Sequence, residues 1–546
     1  MSVYTAADAL LDILRDEGVT RIFGNPGSTE MALMDRLVDV DDIAYVLALQ
    51  EASAVGMADG YALATGRPAF VNLHTAGGLG NAMGVLFASK ASETPLVVTA
   101  GQQDTRHLFS EPWLSGDLVG MAQSVTKWAA EVRRGGDVAP ALRRAFAIAR
   151  TPPQGPVFLS LPMDVLEETV GRDLPLRSAA PARAAGGGCA AFAGRLAGHD
   201  PARVAVLIGD DAPSDAAAGV QALAHAGGYP VHGTQVTSRV AYASDDPCWA
   251  GMLRPDFAAI RGALGEVEAI VLVGGRAFVA YPYRAERPIP EACRVYHVAA
   301  APEAIGREFP AEAAVVGDIG LSLAEIAREL AARTDPAAAL RRVAGLGETK
   351  RLRDLGLRTA ILASAGEQPT PPDAAALIVM DALPAGVPIV SDSAVTFGAV
   401  QSVMRTAPGE YFFARGGVLG CAMPAAVGVA LGRGGPVACF CGDGGAMYSP
   451  QAMWSAAQQR AQVLFFVFNN ARYNVLMNVA RGLGAPNALA GRFVGMNIDR
   501  PRIDFQALAR TMGVTAARAT SPEAIRAAID EGLARGGPTL IEIPIS

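Results

Sequence analysis

Two short apolar runs near the C-terminal end restrict the fold more than anything else in the sequence. "PVACFC" (Pro436 to Cys441) and "QVLFFVF" (Gln462 to Phe468) are continuous and hydrophobic, the pattern of strands buried on both faces. Between them, "GDGG" (Gly442 to Gly445) reads as a turn. Ser449 to Gln459 reads as a helix with Pro450 in its first turn, where proline is tolerated. Asn469 and Asn470 follow the second strand at once. A strand–helix–strand unit of this kind closes as a right-handed parallel crossover, so both strand ends reach one edge of the sheet. Asp443 and Asn470 are then neighbours in the crevice where open α/β sheets bind ligands.

One carboxylate and one amide oxygen are hard ligands and suit Mg²⁺, which completes its octahedron with phosphate oxygens and water. The flanking glycines let backbone N–H groups approach a diphosphate. A lone GDG is an ordinary tight turn. GDG, the crossover and NN together are far more specific.

The rest of the chain is consistent with this unit. Strands and helices alternate over all 546 residues, which predicts an α/β protein with doubly wound, mostly parallel sheets. Two stretches break the rhythm: the linker-like "GRDLPLRSAAPARAAGGG" (Gly171 to Gly188), and a partly helical segment from Thr334 to Pro372 that ends in "EQPTPPD". The expected domains are therefore 1–170, 189–333 and 373–546. In the middle one, "VAVLIGDDA" (Val204 to Ala212) and "AIVLVGGRAF" (Ala269 to Phe278) look like core strands ending in glycine turns, as in a Rossmann-like sheet, but neither is a GxGxxG.

Composition excludes several classes. A net charge of −7 and the lack of a basic run argue against nucleic acid. The acidic, amphipathic N-terminus is not a signal peptide. The longest apolar stretch, Gly416 to Gly432, is short, glycine-rich and carries Pro424, so a buried helix is expected there rather than a membrane span. Six scattered cysteines suggest neither a disulfide framework nor a zinc site, and fit a reducing cytoplasm.

GDG followed by NN resembles the signature of thiamine diphosphate enzymes. "FGNPGSTE" (Phe23 to Glu30), "LALQEASAVGMADGYA" around Glu51, "PAFVNLHTAGGLGNAMG" (Pro68 to Gly84), "VTAGQQ" (Val98 to Gln103), "PQGPVFLSLPMDV" (Pro153 to Val165) and "GGVLGCAMPAAVG" from Gly416 extend the likeness over nearly the whole chain. They resemble the benzoylformate decarboxylase branch of the acetolactate synthase and pyruvate decarboxylase superfamily. That resemblance implies a pyrimidine-binding domain, a central domain and a diphosphate-binding domain, in that order. It also implies thiamine diphosphate and Mg²⁺ as cofactors. A homodimer or dimer of dimers is implied, with each active site shared between subunits.

The family's site residues map onto this sequence one by one. Glu51 lies alone between an apolar strand (Ile43 to Ala48) and a helix of small residues (Ala52 to Ala62). As a generic residue it would be an acid at a helix N-terminus. By resemblance it is the cofactor glutamate. A carboxylate bonded to N1′ of the aminopyrimidine favours the imino tautomer, whose nitrogen can take the C2 proton. Leu419 would support the bend of the cofactor, and the Gly417 backbone would accept from the pyrimidine amino group. Asp443, Asn470 and the carbonyl of Arg472 would ligate Mg²⁺, while Gly444, Gly445 and Tyr473 would hold the diphosphate.

Among the six histidines, His74 in "NLHTAGG" matches the family's proton-transfer histidine. Ser28 matches the serine that contacts the substrate carboxylate, and as a generic residue would cap the following helix. The family's second histidine, in the central domain, is missing: the corresponding stretch reads "VAYPYRAERP", with Tyr281, Pro282 and Tyr283 in its place. His107, in a loop after "PLVVTAG", is the candidate to fill that gap near the substrate. The expected reaction is non-oxidative decarboxylation of a 2-oxo acid to an aldehyde. The alternatives are an acetolactate-synthase-like carboligase and a non-catalytic homologue.

Overall fold

A computed structural model describes residues 3–179, 182–281, 283 and 285–546. Pro282 lies outside the described residues. Three six-stranded sheets follow one another along the chain, and every strand pair in them is parallel. The first runs from Arg21 to Pro162, the second from Val204 to Val316, the third from Ile389 to Pro544. Counting strands within each sheet, the first and third share one order, 2-1-3-4-6-5. The second has the order 3-2-1-4-5-6 of dinucleotide-binding sheets, and its two glycine-ended strands, Val204–Ile208 and Ala269–Val273, lie side by side at the switch point.

The alternation of buried strand and covering helix explains the apolar runs. The strands Val437–Gly442 and Val463–Asn469 are buried along almost their whole length and pair in register, Gly442 opposite Phe468. Residues 171–188 carry no helix or strand among those described, and the Pro336–Leu362 helix bridges the second and third sheets.

Three local expectations need correction. GDGG is not a simple turn: Asp443–Ala446 already winds as a short helix, because the strand end aims Asp443 at the free N–H groups of that first turn. The helix beyond it is Ala452–Gln458, not Ser449 to Gln459. The apolar stretch from Gly416 is helical only from Ala422; Gly416 to Cys421 stay a loop, with Gly417 and Gly420 at positive φ.

The first and third domains meet through two helices of small residues, Glu51–Thr65 and Ala422–Arg433. Gly60 lies against the Ala425 carbonyl and Gly428 against that of Met57, so neither position has room for a Cβ. The pairs Gly56–Pro424 and Gly432–Thr65 fix the helices as parallel, with both N-termini at one end. No described helix is long and apolar enough to cross a membrane.

Candidate active site

Two strand ends of the first sheet build an acid–imidazole pair. Gly24 pairs with Asn72, so the chain leaving the Arg21–Gly24 strand runs beside the chain leaving Ala69–Leu73. Glu30 and His74 meet there. The Glu30 carboxylate is buried and accepts from the N–H of Gly27 (2.7 Å), the hydroxyl of Thr29 (2.7 Å) and the N–H of Gly101 (2.9 Å). Its Oε2 lies 3.0 Å from His74 Nδ1. A carboxylate on Nδ1 fixes the proton there and leaves Nε2 as the nitrogen that can exchange one. Gly27 packs on the imidazole with no space for a side chain, which locks the ring from the other face. Thr75, next to His74, is held at φ +46° at the start of its helix, a conformation a β-branched residue rarely adopts and one that marks functional sites.

Glu51 is the first residue of its helix and only 9 % exposed. Its two oxygens accept from Asn25 Nδ2 at 3.4 Å and Asn81 Nδ2 at 3.0 Å. Helix start and buried, amide-held carboxylate are therefore both true of it. Ser28 lies exposed beside Gly27. It is not a cap: Gly27 precedes the 3-10 turn Ser28–Glu30, and Glu30 is the N-cap of the following helix.

The third sheet supplies a different arrangement. Asp443 is buried; its Oδ1 accepts from the Gly444 N–H (2.9 Å) and Oδ2 from the Ala471 N–H (2.6 Å). Burial pushes its carboxyl upward, while these N–H groups pull the other way. The two asparagines differ. Asn469 is engaged by Glu542 (2.8 Å) and the Ala471 N–H (3.0 Å). Asn470 accepts from the Arg472 N–H at 3.3 Å, but its buried Nδ2 has no partner. Ala471 is held at φ +56°, the same kind of strain as at Thr75. The Tyr473 ring lies against Gly444 where a Cβ would be.

Asp392, which the sequence did not single out, follows the first strand of this sheet and ties the cradle together. Its Oδ2 accepts from the N–H groups of Gly420 (2.9 Å) and Ala422 (3.2 Å). Its buried Oδ1 has no partner and faces Gly445. Burial raises its carboxyl to about 6. Gly417 and Leu419 are exposed on the loop so anchored, with Leu419 36 % exposed. Orphaned polar atoms, a glycine floor and a carboxylate–amide pair fit an anion carried with a hard cation.

The two halves reach the same end of the molecule. Val418 packs toward Gly84, on the helix that carries Asn81, and Ser455 Oγ donates to the Leu47 carbonyl at 2.9 Å. His107 is not drawn in: it stands exposed on the loop after Leu96–Gln102, beside the exposed Phe109 and Trp113. Tyr281 and Tyr283 are also exposed. The sequence missed Asn25, Glu30, Asn81 and Asp392. Glu30 had a usable signal, an acid followed by the apolar helix "MALM" and preceded by a glycine turn.

Comparison with known proteins agrees over the full chain. Models of the N-terminal, central and C-terminal domains of thiamine pyrophosphate enzymes match residues 4–122, 193–326 and 395–543. Benzoylformate decarboxylase of Pseudomonas aeruginosa is 34% identical, with 99% of this chain and 98% of that protein aligned. A putative acetolactate synthase large subunit of Mycobacterium tuberculosis is 30% identical, over 99% and 98%. Among solved structures, benzoylformate decarboxylase from Polynucleobacter necessarius superposes with a TM-score of 0.86 at 29% identity, covering 100% and 99% of the two chains. A thiamine diphosphate-dependent 4-hydroxybenzoylformate decarboxylase of Rhodococcus jostii gives 0.85 at 29%, covering 99% of each. Domain order, strand order and these matches together make the chain a member of the thiamine pyrophosphate enzyme family, similar to its benzoylformate decarboxylase branch.

Proposed function

We propose that the enzyme decarboxylates a 2-oxo acid without oxidation and releases an aldehyde, using Mg²⁺ with thiamine diphosphate. When bound, that cofactor supplies a carbon nucleophile that adds to the keto carbon and accepts the electrons left by CO₂. The chain's own residues do the rest. Glu51, held by Asn25 and Asn81, would hold a proton for the aminopyrimidine. Asp443 and Asn470, with the Arg472 carbonyl, would ligate the metal; Gly444, Gly445 and Tyr473 would line the diphosphate; Gly417 and Leu419 would meet the rings between. Ser28 is available to the substrate carboxylate, and His74 Nε2 to deliver a proton. The observation that carries this reading is the pairing of the buried Glu30 carboxylate with His74 Nδ1, which leaves the imidazole Nε2 free to exchange a proton.

A carboligase is the second reading. Exposed Tyr281 and Tyr283 stand where the family has a second histidine, which favours slower protonation and more time for an acceptor aldehyde or oxo acid. Incubating the enzyme with a panel of 2-oxo acids, with and without aldehydes, separates the two by mass of product. Aldehyde alone supports the first reading, ligated product the second, and no CO₂ from any acid contradicts both.

The site is proposed to be completed by a second copy of the chain. Leu419, Met447, Tyr448 and Leu476 are exposed apolar groups around the cradle, and Phe109 and Trp113 extend that character. Mixing inactive Glu51→Gln and Asp443→Ala subunits should restore part of the activity; none after verified subunit exchange would refute a shared site. All six cysteines are buried and unpaired, which supports the cytoplasmic placement.

A further inference from the structure

The central domain gathers a set of donors that the reaction does not use. His225 ends the Ala217–Gly227 helix, and Asp246 and Cys248 lie just before the Trp249–Leu253 strand. An imidazole nitrogen, a carboxylate oxygen and Cys248 Sγ come within 4.8 Å of one another. Asp246 and Cys248 are buried, while the His225 side chain is 41% exposed and gives access from solvent. The Sγ atoms of Cys189, Cys293 and Cys441 each approach a backbone carbonyl. Cys248 Sγ instead lies with the imidazole and the carboxylate.

The carboxylate is firmly oriented. Oδ1 accepts from the Tyr242 hydroxyl (2.7 Å) and the Cys248 N–H (2.8 Å); Oδ2 accepts from Gln221 Nε2 (2.8 Å) and lies 3.0 Å from His225 Nε2. Such outer partners are what fix a metal's ligands.

We propose that His225, Asp246 and Cys248 bind a zinc-type cation, with water in the fourth position on the His225 side. One thiolate, one imidazole and one carboxylate form a mixed set that selects Zn²⁺ over Mg²⁺. Tetrahedral zinc with bonds of about 2.0–2.3 Å sets its ligand atoms roughly 3.3–3.7 Å apart. The thiol would therefore close in slightly and the imidazole open from the carboxylate. Binding releases the thiol proton to solvent, and the imidazole proton moves from Nε2, where the Asp246 carboxylate holds it, to Nδ1, so that Nε2 offers its lone pair to the metal. No electron transfer is involved. The ligands come from a helix and a distant loop, so no sequence spacing announced them.

The position gives the ion a purpose. The segment 235–248 is the seam between the second and third domains: Gln401 Nε2 donates to the Gln235 carbonyl, Phe413 N–H to Ser238, Gly409 N–H to Val240, and Ser244 N–H to Thr406. A cation at the foot of that segment would pin it to the helix behind.

The test uses the full-length enzyme loaded with thiamine diphosphate and excess Mg²⁺, titrated with Co²⁺ as the optical probe. The expected result is one Co²⁺ per chain with a near-ultraviolet thiolate charge-transfer band, displaced by Zn²⁺ and absent from Cys248→Ser. His225→Ala, at an exposed position that keeps the fold, should weaken Zn²⁺ binding at least ~10-fold in chelator competition. Zn²⁺ should raise Tm in the wild type and not in His225→Ala. No band in the wild type, or an undiminished band in His225→Ala, would overturn the proposal.

Discussion

The first and third domains share strand order 2-1-3-4-6-5 and the same local device: a strand end, a site residue, and a non-glycine residue forced to positive φ beside it. They differ in how the carboxylates and amides at their candidate sites are satisfied. In the first domain both key carboxylates are complete. Glu30 has four partners and Glu51 two amides. In the third, Asn470 Nδ2 and Asp392 Oδ1 are buried without partners. Unpaired buried polar atoms are costly and persist where something else is meant to meet them. On the proposed function, the pyrimidine half would be built in advance for holding protons, and the diphosphate half would be a cradle finished by its ligand.

If the first half is prebuilt, its defects should show in turnover and not in affinity. Glu51→Gln is expected to have the largest effect, a loss of about 10²–10⁴ in turnover, because an amide cannot exchange the proton a carboxylate holds. Hydrogen–deuterium exchange at C2 of the bound cofactor checks it, and a wild-type exchange rate would remove Glu51 from the mechanism. His74→Ala should follow at around 10². Glu30→Gln, which keeps the shape but loses the charge that fixes the imidazole, should cost roughly tenfold and shift the pH–rate profile. A profile unchanged in Glu30→Gln would leave the pair without a catalytic purpose.

Asp392 sharpens the contrast from the other side. Burial raises its folded carboxyl to about 6, above the ordinary aspartate value of about 4. The folded state therefore holds a proton through that window that the unfolded chain has released. Stability from this group is full below about 4 and is lost as pH rises toward 6, by on the order of 1–3 kcal/mol. Asp392→Asn, neutral throughout, should remove that slope from Tm measured between pH 4 and 6 in the cofactor-free protein. A slope identical to wild type would mean Asp392 does not carry it. The smallest effect is expected at His107, exposed on a loop of the first domain away from the Glu30–His74 pair: His107→Ala should leave cofactor affinity alone and change the aldehyde-to-ligated-product ratio by no more than about twofold, the scale of a surface substitution.

Much of this was legible in the sequence because it is local. The crossover that carries Asp443 and Asn470, the lone acid at Glu51 and the strand-ending His74 are each set by their neighbours in the chain. What stayed hidden depends on pairing. Glu30 meets His74 only because Gly24 pairs with Asn72, and Asn81 meets Glu51 only across two helices. Asp392 looked like any polar residue after a strand, since its partners at Gly420 and Ala422 are backbone N–H groups that leave no mark on composition. The helix starting at Ala422 rather than Gly416 has the same cause: Asp392 captures those N–H groups and holds the preceding residues as a loop.

The central claim is that one half waits for its ligand and the other does not. Titrating thiamine diphosphate by tryptophan fluorescence at several Mg²⁺ concentrations tests it directly, in Glu51→Gln and Asp443→Ala side by side. The account predicts that Glu51→Gln retains wild-type affinity and Mg²⁺ dependence, whereas Asp443→Ala loses both together. Wild-type, Mg²⁺-dependent binding by Asp443→Ala would contradict it.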